Sequence, residues 1–187
     1  MQNLKFVLIG LSDQVKNKFS KAESNAMDGC FNFAGGHRHQ TLVGHLLPAH
    51  HHWENIDVPL KPFIDKVKHV KGDWVVFASG DPLFFGIANT LKRECPEAQM
   101  TVIPAFNAIQ MLAHQLIIPY GQYQTVTLTG RRWNKFDEAL IRQVAGMGIL
   151  TDRVKTPAAI AQRMLEYGYY QYQIHVGERL GSDHQRI

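Results

Sequence analysis

Short apolar runs recur along this chain, separated by stretches with helical spacing, and this alternation limits the possible folds more than any other feature. Strands rich in valine, isoleucine and phenylalanine that alternate with helices build α/β units with mostly parallel sheets. The runs predict strands at 5–9, 31–34, 74–78, 99–103, 125–128, 147–150 and 172–176. Between them, Leu83, Ile87 and Leu91 fall at i, i+4 and i+8, which predicts a helix over 83–92. Thr156 followed by Pro157 gives an N-cap and a first-turn proline for a helix over 158–167. The stretch 116–124, with Pro119 and Gly121, interrupts the alternation and reads as a hinge. Two α/β domains are therefore expected, residues 1–118 and residues 119–187.

Composition removes several function classes. With 45% hydrophobic and 19% charged residues the chain resembles an ordinary globular protein, and no apolar run approaches the roughly 18 residues of a membrane span. Its first apolar run, Phe6 to Leu11, passes directly into Ser12-Asp13-Gln14, so it reads as a strand and not as a secretory segment. No membrane partner is expected, and a cytoplasmic location is. Cys30 and Cys95 are the two cysteines, too few for a disulfide framework or a zinc site. The formal charge of +4 is scattered and not interleaved with aromatics, which argues against nucleic acid and suits an anionic small molecule. Most of the ten histidines lie between His37 and His69. His50-His51-His52 invites a metal reading, but consecutive side chains diverge and rarely complete one coordination shell. The expectation is an exposed loop after Pro48 and no protein metal site.

At Ser79-Gly80-Asp81-Pro82 an apolar strand ends in a sharp turn before a helix. Glycine there supplies unusual backbone angles, aspartate caps the following amides and proline opens the helix, so a turn alone accounts for the residues. Equally, the carboxyl end of a parallel strand is where open α/β sheets bind ligands. Local pattern does not decide between these readings.

Several segments taken in order do. "VVFASGDPLFFG" at 75–86 and "VIPAFNAIQMLAHQLIIPY" at 102–120 resemble consecutive segments of the tetrapyrrole (corrin/porphyrin) methylases. "FAGGHRH" at 33–39, "TLTGR" at 127–131, "GILTDRVKTPAAIAQRML" at 148–165 and "VGERLGSDHQRI" at 176–187 are similar, within that family, to the precorrin-7 carbon-5 methyltransferases of cobalamin synthesis, the CbiE type. The resemblance implies an α/β enzyme of two domains, the first with a mostly parallel sheet and the second with a mixed one. It also implies a homodimer that binds S-adenosylmethionine in a cleft between domains and methylates carbon 5 of precorrin-7 or cobalt-precorrin-7. A decarboxylating carbon-15 methyltransferase, fused or separate, is the implied partner. The alternatives are another methylase of the family, or a non-catalytic protein that holds a tetrapyrrole or metal in the same cleft. Because the family pattern continues for another strand, the second domain is expected to lack its last one.

Carried over residue by residue, the resemblance implies cofactor contacts at Gly10, Gly80, Asp81, Pro82, Phe106, Asn107, Ala108, Leu150 and Thr151. Asp81 faces the cofactor ammonium or caps a helix. Leu150, Thr151 and the adjacent Asp152 mark a cofactor-proximal strand end or a helix-cap region. Of the family's glycine-rich first turn, Gly10-Leu11-Ser12-Asp13 keeps only Gly10. Arg38 and Arg131, with His37 and His39, are the implied contacts to the ring's carboxylates, or else solvated charges. No residue is singled out as a chemical catalyst, because a methyl sulfonium needs alignment and dryness more than a side-chain nucleophile.

Overall fold

The computed structural model describes residues 4–70 and 72–187. Strands β1 (Lys5–Leu11), β2 (Asn32–Gly35), β3 (His52–Asn55), β4 (Trp74–Ser79) and β5 (Gln99–Ile103) form one parallel sheet in the order β3-β2-β4-β1-β5. Alternate residues of a strand face opposite sides, and both sides here are covered. Phe6, Leu8, Trp74 and Val76 pack with Phe63, Ile64 and Val67 of α3 (Lys61–His69) and with Ala88 and Leu91 of α4 (Ile87–Glu94). On the other face, Val7, Ile9, Val75 and Phe77 meet Ala26 and Met27 of α1 (Lys21–Met27), and Leu42 and Val43 of α2 (His37–Val43). A parallel sheet covered on both faces has strands that read as unbroken apolar runs, which is why β1 and β4 stood out in the sequence.

The chain divides into two compact units: Met1–Asn107 with Gly181–Asp183, and Ala108–Leu180 with His184–Ile187. The division therefore falls just before α5 (Ala108–Leu116), not at the interruption near residue 118. Helix α5 packs on β7 (Met147–Leu150) of its own unit, and Ile109 lies where a side chain on Gly148 would stand, 2.5 Å from such a Cβ. Pro119 and Gly121 lie in the turn after the helix and do not mark the boundary.

Within the second unit, β6 (Gln124–Thr127) pairs with β7 in parallel. Val126, Leu128, Phe136, Leu140, Ile160 and Met164 form a separate core beneath α6 (Asn134–Ile141) and α7 (Pro157–Glu166). Arg163 of α7 ties these helices together through a paired contact to Asp137, 2.7 and 2.8 Å, with its guanidinium beside the rings of Trp133 and Tyr167. Helix α7 begins as its sequence predicts: Thr156 is the N-cap and accepts from the Ala159 amide at 3.2 Å.

Four expectations need correction. Residues 172–176 form no strand; Tyr172 packs on the second core and its hydroxyl donates to the Val144 carbonyl at 2.9 Å, which holds the segment by its side chain. The second sheet is consequently parallel and not mixed, and antiparallel pairing among the described residues is the lone bridge Glu178–Arg186. The histidine run is not simply an exposed loop either. His52 opens β3 opposite Asn32, its ring edge-on to Trp74, while His51 stands edge-on to Phe33 and bonds the Pro48 carbonyl at 2.7 Å. Finally, α4 starts at Ile87, because Phe85 takes a positive φ of 55° and the backbone around Gly86 folds onto Pro82.

Candidate functional site

Strands β1 and β4 are neighbours, yet the chain leaves their carboxyl ends toward opposite faces, through α1 to β2 and through α4 to β5. Such a divergence opens a crevice at the carboxyl edge of an α/β sheet. Gly10, Ser79 and Gly80 lie at that edge. Gly80 donates its amide to the Leu11 carbonyl at 2.8 Å and accepts from the Ala105 amide at 3.1 Å, drawing the loop after β5 against the turn. Gly10 lies beneath that contact: a Cβ there would stand 1.9 Å from the Gly80 carbonyl oxygen and 2.4 Å from the Ala105 nitrogen. Gly80 has φ +62°, and a Cβ on it would stand 2.9 Å from Asn107 Cα. Both glycines are thus required by the approach of three loops.

Around this knot, Gly80 and Pro82 are buried, Asp81 is half-buried and Asn107 is buried. Asp81 Oδ1 accepts from the Leu83 amide at 2.8 Å, which closes a local turn and occupies one carboxylate oxygen; with α4 starting at Ile87 behind Gly86, Asp81 caps no helix. Ser79 and Phe106, the latter 60% exposed, present side chains to solvent at the same sheet edge. Ser79 is the residue that the sequence passes over; a hydroxyl at the last position of a buried strand was the available signal.

His37, Arg38 and His39 form the first turn of α2 and not a free loop. Arg38 is held by an ion pair with Asp13, and His37 is exposed. His39 turns inward. Its Nδ1 accepts from the Gly36 amide at 3.1 Å and its Nε2 lies 3.0 Å from Ser79 Oγ. Burial, with the adjacent Arg38 charge, lowers its pKa to about 4, against a smaller opposing pull from Asp13. His39 is therefore neutral at pH 7.

In the second unit, Ala108, Leu112, Leu150, Thr151, Ile160 and Val176 are among the residues lining a cavity of about 520 Å³, a size typical of small-molecule pockets. Arg131 is exposed in the turn after β6. Asp152 clips that turn to the one after β7: Gly130 donates to Oδ2 at 3.0 Å, Val154 and Lys155 donate to Oδ1 at 2.9 and 2.6 Å. Its role is this cap. Backbone bonds from Lys155, Gly130 and Val154 hold its pKa down to about 2, below an ordinary 3.8. A carboxyl with a depressed folded-state pKa stabilises above its unfolded value and loses that contribution as pH falls through the folded one. Urea denaturation should show Asp152→Asn less stable than wild type at pH 6, with the difference shrinking between pH 4 and 2. Among the described residues no cluster of three or more histidine, cysteine, aspartate or glutamate side chains is arranged to hold a metal ion.

The family model for tetrapyrrole (corrin/porphyrin) methylases matches residues 36–187. The chain belongs to the tetrapyrrole methylases. This methylase is 29% identical over 180 residues to a protein from Sinorhizobium sp. called precorrin-6Y C(5,15)-methyltransferase [decarboxylating], covering 95% of the present chain and 41% of that one. It is 33% identical over 113 residues to the cobalt-precorrin-7 C(5)-methyltransferase of Salmonella typhimurium, covering 60% and 55%. The methylase thus spans about half the length, or less, of these curated relatives. Among solved structures, the methyltransferase CobJ superposes with a TM-score of 0.70 at 14% identity, covering 97% of this chain and 84% of that one. The precorrin-6Y methylase (cbiE) of Archaeoglobus fulgidus gives 0.62 at 13%, covering 82% and 75%. These two likenesses establish a shared α/β fold with a mostly parallel central sheet and a second small sheet.

Proposed function

We propose that this methylase uses S-adenosylmethionine to methylate carbon 5 of precorrin-7 or cobalt-precorrin-7. The observation that carries the reading is the knot of Gly10, Gly80 and Ala105–Asn107 at the carboxyl ends of β1 and β4, in a chain whose relatives are named for that reaction. The residues present suit such a cofactor. Phe106 offers an exposed ring, Asp81 a half-buried carboxylate for an ammonium, and the second unit a partly apolar cavity.

The cofactor supplies an electrophilic methyl group on a sulfonium. What the chain supplies is position and dryness. Gly80, Asp81 and Pro82, fixed by the Leu11, Leu83 and Ala105 bonds, form a turn that need not reorganise on binding, and preorganisation of this kind lowers the cost of alignment. Phe106 and Asn107 are its further proposed contacts in the first unit, with Ala108, Leu150 and Thr151 those in the second. Arg38, His37 and Arg131 are exposed side chains whose N–H groups can donate to the ring's carboxylates. A homodimer, a cytoplasmic location and a decarboxylating carbon-15 partner belong to the same reading.

Titration calorimetry with S-adenosylhomocysteine, followed by mass analysis of precorrin-7 incubated with labelled cofactor, tests it. A gain of one methyl group at carbon 5 is expected. No binding by the folded chain would favour a non-catalytic tetrapyrrole binder, and binding without methylation would remove the substrate claim. Asp81 offers a finer check. Asp81→Asn keeps the oxygen that accepts from Leu83 but removes the charge, so it should retain the wild-type Tm and bind S-adenosylhomocysteine several-fold more weakly. Asp81→Ala should add a loss of about 1 kcal/mol of stability, the usual net value of one such hydrogen bond. Full affinity in Asp81→Asn would leave the carboxylate only its turn hydrogen bond.

A further inference from the structure

Resting on that reading, we propose that Ser79 is a carboxylate-binding residue of this methylase, and that His39 is the positioning residue that aims its hydroxyl. A backbone amide can only donate, so the 3.1 Å contact from Gly36 makes His39 Nδ1 an acceptor. A neutral imidazole carries one proton, which therefore sits on Nε2 and is donated to Ser79 Oγ across 3.0 Å. Nε2 then has no lone pair to offer. The Ser79 hydroxyl proton must point elsewhere, and Ser79 is an exposed residue, the last of β4 before the Gly80 turn. The pair thus presents an oriented O–H donor at the carboxyl edge of the sheet.

The same arrangement denies His39 the role of general base or direct substrate contact, since its acceptor nitrogen is taken and its donor is spent on serine. An anionic oxygen suits the Ser79 donor, because a hydrogen bond to an ionised acceptor is roughly twice as strong as one between neutral groups. Two bound molecules carry carboxylates of the required kind, the methionine portion of the cofactor and the acetate or propionate arms of the ring. Either would accept the hydrogen bond, and the chemistry recognised is the same.

The test uses the full chain and four variants: Ser79→Ala, His39→Ala, His39→Gln and the double Ser79→Ala/His39→Ala. S-adenosylhomocysteine affinity is read by calorimetry, and KM and kcat for precorrin-7 by initial rates. Losing one hydrogen bond to a charged group weakens binding roughly tenfold. A tenfold higher Kd for S-adenosylhomocysteine in Ser79→Ala assigns the cofactor carboxylate. An unchanged Kd with a tenfold higher KM and retained kcat assigns the ring. In both cases His39→Ala should match Ser79→Ala, the double variant should lose no more than either, and His39→Gln, which returns an amide donor, should recover part of the loss. Ser79→Ala within twofold of wild type in both measurements overturns the proposal, as does an additive double variant, which would make His39 only structural. A wild-type chain that fails to bind S-adenosylhomocysteine overturns the methylation reading itself, and this inference with it.

Discussion

Gly10→Ala is expected to destabilise the protein by about 3 kcal/mol, near the upper end for overpacking. The new Cβ would stand 1.9 Å from the Gly80 carbonyl oxygen and 2.4 Å from the Ala105 amide nitrogen, and both are backbone atoms hydrogen-bonded to each other. A flexible side chain would swing aside at little cost, but these atoms can yield only if the Gly80–Ala105 bond breaks and the turn moves away from β1. For a chain of this size the loss corresponds to a fall in Tm of roughly 10 °C, measurable by calorimetry or circular dichroism. Binding should suffer with stability, because the same turn carries the proposed cofactor contacts. A Gly10→Ala variant that melts like wild type would mean that the three loops do not meet as described. That result would remove the structural basis of the candidate site.

Phe136→Ala should have a comparable or larger effect, about 3–5 kcal/mol, the range for deleting a buried phenylalanine. Phe136 is fully buried at the centre of the second core, against Trp133 and among Val126, Leu140, Ile160 and Met164. The cavity it leaves lies between α6, α7 and the two-stranded sheet, where the surrounding side chains can relax only in part. Phe106→Ala provides the contrast. Its ring is 60% exposed, so urea denaturation should find little change in stability while calorimetry finds weaker binding of S-adenosylhomocysteine. If the ranking of the two variants were reversed in the denaturation experiment, the assignment of one ring to the core and the other to the ligand would fail.

The sequence was most legible where local rules and burial agree. β1, β4, β5 and β7 are apolar runs in or beside the cores, and α7 has its cap and its first-turn proline in the order that starts a helix. It was least legible for β3. His52–Asn55 carries no apolar run, and these residues become a strand because Asn32–Gly35 offers them a parallel edge. The opposite error occurred at 172–176, where a strand-like composition is used for side-chain packing through Tyr172. Arg163 is similar: nothing in its neighbourhood announces that it will bridge to Asp137 between two aromatic rings.

The amino-acid sequence by itself determined the α/β class and the family, and it named the loops proposed to hold a ligand, because those follow from periodicity and from ordered motifs that survive without coordinates. Tertiary structure alone decided what each residue does there. It made Gly10 a packing requirement, gave one oxygen of Asp81 and both of Asp152 to backbone amides, and placed His39 against Ser79. The physical reason is that hydrogen bonds and close approaches between residues forty positions apart depend on where the sheet puts its strand ends, and no local spacing records that register.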